Sequence, residues 1–290
     1  MISFIITLSC LLRVVSVFGE GSLSSDQVET SIALTPDEQT AFVSRHNGNW
    51  GHRENPASKI YEYRLIDNRW ELVGLAAFSD EESPGSDSDI FISYDGQEAF
   101  FISSRPYPGK EDDNRDIWRS KWSESGWSEP TPVNGINSSG YEASPVTDLA
   151  GNLYFSSIRS VGAGLGDLYF ARRTSEGGFD EPVLLQGEVN GPTGEWNLVV
   201  SPDASWIIFE SSGRNEGLSS YGDLYLSRST ADGWFKPVHL TAINTTGSEL
   251  NPRILTRSDQ LLFVSSQKLE SLTTDLYQID MRDLAPFLKD

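Results

Sequence analysis

The chain repeats itself. Apolar segments end on Phe101, Phe155, Phe209 and Phe263, each 54 residues after the last, and a fifth equivalent, Val43, stands 58 residues before Phe101. A fixed period of this length marks repeat architectures, because one repeat is a supersecondary unit that cannot bury its apolar face alone. Four pieces recur around these positions. A first strand opens on an acid and closes on a turn: Glu29 to Asp37, Asp87 to Asp95, Glu142 to Asp148, Glu195 to Asp203 and Glu249 to Asp259. A second strand ends in small hydroxyls and a base, at Arg45, Arg105, Arg159, Arg214 and Lys268. The third begins Asp-Ile-Trp at 116 and Asp-Leu-Tyr at 167, 223 and 275, with Lys59-Ile60-Tyr61 as the looser first copy. The fourth starts at an aromatic (Trp70, Trp127, Phe179, Trp234) and usually runs into proline.

Short strands at regular turn spacing predict an all-β fold, and no useful length of chain shows a helical period. Stacking four-stranded units radially hides most sheet edges, whereas a linear β-solenoid uses shorter repeats. The expectation is a five-bladed β-propeller of four-stranded antiparallel blades, with six blades as the weaker alternative. The blades fall near 23–82, 83–139, 140–191, 192–247 and 248–290, within one domain spanning 22–290. Only Leu284 to Phe287 remain for the fourth strand of the last blade, so a strand near Leu23 to Val28 is expected to complete it as a clasp between the chain ends.

The turns Thr35-Pro36-Asp37, Ser93-Tyr94-Asp95-Gly96 and Ser201-Pro202-Asp203, the Phe-Ser-Ser type strand ends and the Asp-Leu-Tyr runs resemble the WD40-like propeller repeat of TolB-type proteins. The resemblance covers nearly all of the chain after residue 21. It implies an exported, mostly non-catalytic scaffold; the chain departs by having five copies and no additional domain, so the TolB partner set does not carry over.

Residues 1–21 read as a signal peptide: an apolar run ending in small residues, with a cut predicted after Gly19 or Gly21 and a secreted or periplasmic product. Arg13 splits the run, which argues against a membrane anchor, and no membrane insertion is expected after cleavage. Cys10 is the only cysteine, so no disulfide framework or thiol chemistry is available beyond it. A formal net charge of -20 repels phosphate backbones and anionic lipid, which disfavours nucleic acid and membrane surfaces as partners. A monomer binding a protein or glycan is expected.

One candidate site is the repeated ring of acids (Glu29, Asp87, Glu142, Glu195, Glu249) and bases (Arg45, Arg105, Arg159, Arg214, Lys268). It reads either as a polar funnel or as an ion pair that every blade needs, and repetition favours the second, because a site usually breaks symmetry. The other candidate is a rim of unlike loops carrying His46, Trp50, His52, Tyr107 and Tyr221, suited to a glycan or peptide because aromatic faces stack and amides orient. No cofactor is called for. Glu111-Asp112-Asp113 or Asp87-Ser88-Asp89 could hold Ca²⁺, although neither has the spacing of a known calcium loop, and His46, His52 and Glu54 match no zinc pattern. No Gly-x-Ser-x-Gly elbow or phosphate loop is present. The alternative function is a five-bladed glycosidase drawing an acid and a base from the inner-strand carboxylates. Asn137-Ser-Ser and Asn244-Thr-Thr are glycosylation sequons expected on exposed turns.

Overall fold

The computed structural model describes residues 15–52, 54–83, 85–110, 114–162, 164–267 and 271–288. Arg53, Glu111 to Asp113, Lys268 and most of the predicted leader, including Cys10, lie outside them.

The described residues form five four-stranded antiparallel blades arranged as a propeller. Blade one is β2 (Val28–Leu34), β3 (Thr40–His46), β4 (Lys59–Ile66) and β5 (Arg69–Leu75), following a short β1 (Ser16–Val17). Blade two is β6 (Asp87–Ile92), β7 (Glu98–Ser103), β8 (Asp116–Ser123) and β10 (Thr131–Pro132), with β9 (Gly126–Trp127) folded back on β8. Blade three is β11 (Glu142–Thr147), β12 (Leu153–Ser157), β13 (Asp167–Ala171) and β14 (Val183–Leu184). Blade four is β15 (Gly194–Val200), β16 (Trp206–Ser212) and β17 (Asp223–Thr230), the last flanked by β18 (Gly233–Trp234) and β19 (Val238–His239). Blade five is β20 (Glu249–Leu255), β21 (Gln260–Ser265), β22 (Asp275–Asp280) and β1. The inner strands β2, β6, β11, β15 and β20 touch in succession and close the ring between β20 and β2.

The clasp is real but lies upstream of the expected segment. Ser16 and Val17 pair with Gln278 and Tyr277, Phe18 N–H donates to Leu276 O at 2.7 Å, and a turn at Gly19 (φ 64°) drops Leu23 into the core. Leu23 fills space instead of forming the strand, and the predicted cuts after Gly19 or Gly21 fall inside this clasp. The C-terminal tail forms α1 (Met281–Leu288), where no helix was expected; Met281 and Leu284 are buried in one apolar cluster with Ile208, Phe263 and Tyr277.

The turns behave as their chemistry requires. Thr35, Ser93 and Ser201 hydroxyls donate to Asp37, Asp95 and Asp203, and the next position is left-handed: Glu38 (φ 57°), Gly96 (φ 73°) and Ala204 (φ 56°). The sequon asparagines correct the expectation of exposed turns. Asn137 Oδ1 accepts from Ile117 N–H at 2.8 Å while its amide donates to Ile117 O. Asn190 and the buried Asn244 cap Leu168 and Leu224 in the same way. Each amide is committed to the backbone of a third strand.

Candidate functional site: a funnel on the loop-bearing face

The repeated acids and bases build a staple inside blades two, three and four. Glu142 is buried and accepts from Ser138 Oγ (2.6 Å), Ser157 Oγ (3.0 Å) and Arg159 Nη2 (3.1 Å). The same guanidinium donates to Ile136 O on the crossing from the previous blade. Glu195 with Arg214 (2.8 Å) and Asp87 with Arg105 (2.8 Å) repeat this, their arginines reaching Val189 O and Phe78 O. Glu249 accepts from Thr245 and Ser265, and Glu29 from Ser25. Each arginine lies over aromatic rings of its own blade, as Arg159 over Phe155 and Tyr169 and Arg45 over Tyr61 and Tyr63. Burial pushes Glu142, Glu195 and Glu249 above the usual carboxylate range, and Glu29 up to about 7. These groups tie an inner strand to the preceding inter-blade crossing. Tyr107 packs edge-on against Trp118, away from the funnel.

The funnel opens on the same face, between the loops joining second and third strands, with a volume of about 590 Å³. Of the predicted site residues it takes His46 and Trp50 as wall, with His52 and Tyr221 beside them. Its floor is set two residues beyond the acids, where Asp89, Asn197 and Asn251 line it and the equivalent Ser31 and Ser144 are fully buried. There every inner strand shifts register by a β-bulge, and Asp89, Ser144, Asn197 and Asn251 hold φ between 43° and 54°. Asn and Asp tolerate this left-handed geometry better than most residues, and the bulge re-aims their side chains. Strain of this kind persists where the surroundings fix it, and functional sites collect it.

Asp89, Ser144, Asn197 and Glu210 form one hydrogen-bonded chain. Ser144 N–H and Oγ meet Asp89 Oδ2 at 3.0 and 3.2 Å, Ser144 Oγ lies 2.6 Å from Asn197 Oδ1, and Asn197 Nδ2 donates to Glu210 Oε2. Burial pushes the Glu210 carboxyl up to about 8, against the lowering effect of the Asn197 amide. Below the floor the channel is plugged. Arg253 of blade five donates to Ile90 O of blade two, Leu198 O of blade four and its neighbour Pro252 O, and Tyr94 Oη donates across to Val200 O at 2.6 Å. The funnel is therefore closed at its base.

Sequence reasoning about the ring missed the floor, although a signal existed: the funnel residues stand where the repeat fails. After the apolar anchor of the second strand, four blades have Ser44, Ile102, Ser156 and Val264, and blade four has Glu210. After the first-strand acid, four have Thr30, Ser88, Ala143 and Leu250, and blade four has Trp196. Before the third strand, four have Ser58, Gly166, Gly222 and Thr274, and blade two has Arg115. Compensating glycines mark the exceptions. A Cβ at Gly166 would lie 2.3 Å from the Trp196 ring, and one at Gly222 would lie 2.2 Å from Glu210 Oε1. Tyr141 and Trp196 meet edge to face at 6.0 Å, and Arg115 lies over the Tyr141 ring. Among the described residues no cluster of three or more His, Cys, Asp or Glu side chains has metal-binding geometry.

No protein-family model matches the sequence, and no curated protein matches it. Among solved structures the chain is similar to a TolB-like protein from Agrobacterium tumefaciens, at 17% identity over 89% of this chain and 78% of that one, TM-score 0.52. It is also similar to a thermostable family-43 glycoside hydrolase, at 10% identity over 91% of each chain, TM-score 0.57. An endo-arabinase from Bacteroides thetaiotaomicron matches at 13% identity over 91% of this chain and 95% of that one, TM-score 0.54. At these identities the likeness is one of fold.

Proposed function

We propose that the chain is an exported binding protein whose loop-face funnel holds a glycan. The observation that carries this reading is the funnel itself: about 590 Å³, closed at its base, with aromatic walls and a floor of fixed donors and acceptors. Small-molecule sites have this character, few placed polar groups among aromatic surface, whereas a protein partner would meet the rim. Sugar rings offer apolar faces to residues such as Trp196 and Trp50, and hydroxyls to Asn197 and Asn251. Export is supported by the apolar N-terminal run; no helix among the described residues is long and apolar enough to cross a membrane. The test is a thermal-shift screen of the full chain with neutral and acidic oligosaccharides, since a ligand of the folded state raises the midpoint by mass action. A glycan shift that Trp196→Ala removes supports the reading; a flat response across the panel overturns it and points to a protein partner.

One observation favours a second reading, glycoside cleavage. Asp89 and Glu210 share the funnel in unlike environments, one carboxyl held by the Ser144 hydroxyl and N–H, the other pushed up to about 8 by burial. A general acid and a base need such a division. Reducing-end release from a bound glycan, abolished by Glu210→Gln with binding retained, supports cleavage; binding without release by the parent chain excludes it.

A further inference from the structure

We propose that the glycan bound in the funnel carries a carboxylate, as a uronic acid does, and that Arg115 reads it. This rests on the glycan reading above and names its substrate class. Four observations support it. First, Arg115 breaks the repeat at a position where the other blades carry Ser58, Gly166, Gly222 and Thr274. That position abuts the next blade's inner strand, where Glu142 N–H donates to Arg115 O at 3.0 Å, so a long side chain there reaches the channel mouth. Second, its guanidinium is barely used. It makes one side-chain hydrogen bond, Nη1 to Tyr141 Oη at 3.3 Å, and no carboxylate among the described residues lies within ion-pair distance. Arg105, Arg159 and Arg214, by contrast, each hold a carboxylate at 2.8 to 3.1 Å. Arginine has five donors in a planar fork that matches a carboxylate in bidentate fashion.

Third, the groups facing Arg115 leave room for a second negative charge. Asp89 acts on it through space but is itself held by Ser144 N–H and Oγ. Tyr141 is neutral, and burial and the Arg115 charge hold the His46 imidazole below its usual range. Glu210, the other acid on the floor, keeps its proton near neutral pH. Fourth, Arg115 is the only Lys or Arg among the described residues lining the funnel. The net charge of -20 does not bar an acidic ligand, because at physiological salt charges more than about 8 Å away are largely screened.

The experiment is titration calorimetry of the full chain with galacturonate, glucuronate and mannuronate trimers, each against the neutral hexose trimer of the same linkage, and with a tripeptide bearing a free C-terminal carboxylate. The expected result is a uronate trimer bound about tenfold or more tighter than its neutral counterpart. Arg115→Gln, with an unchanged melting midpoint, should bring the two within about twofold, Arg115→Lys should keep part of the preference, and Asp89→Asn should strengthen it. Equal binding of acidic and neutral trimers by the parent chain, or a preference that survives Arg115→Gln, overturns the proposal while leaving the glycan reading intact. Binding of the tripeptide alone, or of none of the probes, overturns the glycan reading and this proposal with it.

Discussion

Replacing Glu210 by glutamine should stabilise the protein, and only above a certain pH. In the unfolded chain this carboxyl ionises near 4.5; in the folded chain burial keeps it protonated up to about 8, with Asn197 offsetting part of the effect. Between those values the folded state holds the extra proton. Stability therefore falls as pH rises through this window, and the loss is complete above about 8. At about 1.4 kcal/mol per pH unit, the interval from 4.5 to about 8 caps the cost at roughly 5 kcal/mol; relaxation around the buried group would leave about half of it. Glutamine is neutral at every pH, is nearly isosteric, and still offers Asn197 Nδ2 an acceptor. For a chain of this size 1 kcal/mol moves the midpoint by about 2 °C. Scanning calorimetry should place Glu210→Gln within about 1 °C of the parent at pH 4.5 and roughly 4 to 8 °C above it at pH 8.5. Glu29, raised to about 7, and the raised Glu142, Glu195 and Glu249 tilt the parent's own profile the same way, so the difference between the two curves is the quantity to read. A difference that does not change with pH, or a variant less stable at pH 8.5, would refute the assignment of a buried, protonated carboxyl to the funnel floor.

Three further changes probe the frame around that floor. A chain beginning at Ser22 loses β1 and the Phe18 N–H to Leu276 O bond; three half-buried apolar side chains, Val15, Val17 and Phe18, and that hydrogen bond put the cost at about 4 kcal/mol relative to a chain beginning at Val15, measurable by urea unfolding. Gly222→Ala sets a Cβ against Glu210 Oε1 and should cost about 1 to 3 kcal/mol; in a Glu210→Ala background most of that cost should vanish, and a double-mutant cycle showing additivity would contradict the packing described. Ala204→Gly relieves a left-handed residue at φ 56° and should raise stability by roughly 0.5 to 1 kcal/mol after the unfolded-state entropy of glycine is subtracted, read as an upward shift of the thermal midpoint.

The blades were legible because each repeats the same parts, an apolar second strand preceded by a turn with an aspartate and flanked by an acid and a base, with the turn reading Ser/Thr-x-Asp in blades one, two and four. The clasp was harder to place. Ser16 and Val17 make a strand of two residues with no period of its own, and their place beside Tyr277 and Gln278 is fixed by ring closure, a constraint between chain ends that no local pattern carries. The helix at Met281 to Leu288 was missed for a related reason: it is a single short element whose apolar residues, Met281 and Leu284, match a gap in the core. At the site, the repeated acids drew attention because they are charged and periodic. A charge that recurs in every blade answers a need of every blade, and in blades two, three and four the need is met by a half-buried arginine and backbone groups.

The funnel floor follows the opposite logic. Five equivalent inner strands, three of them stapled at one end and the ring plugged below by Arg253, give positions rigid enough to hold four residues in left-handed backbone. Such a frame is symmetric and by itself would present five similar groups to the channel. Chemistry requires unlike groups near one another, so it must come from departures within the frame: Arg115 where a small residue is the rule, Trp196 where Thr30, Ser88, Ala143 or Leu250 stands, and Glu210 where no other blade has an acid. Each departure needs space, and Gly166, Gly194 and Gly222 supply it beside Trp196 and Glu210. In a repeat protein the residue that breaks its column, together with the glycine that makes room for it, is thus a more selective marker of a site than the charge that keeps to its column.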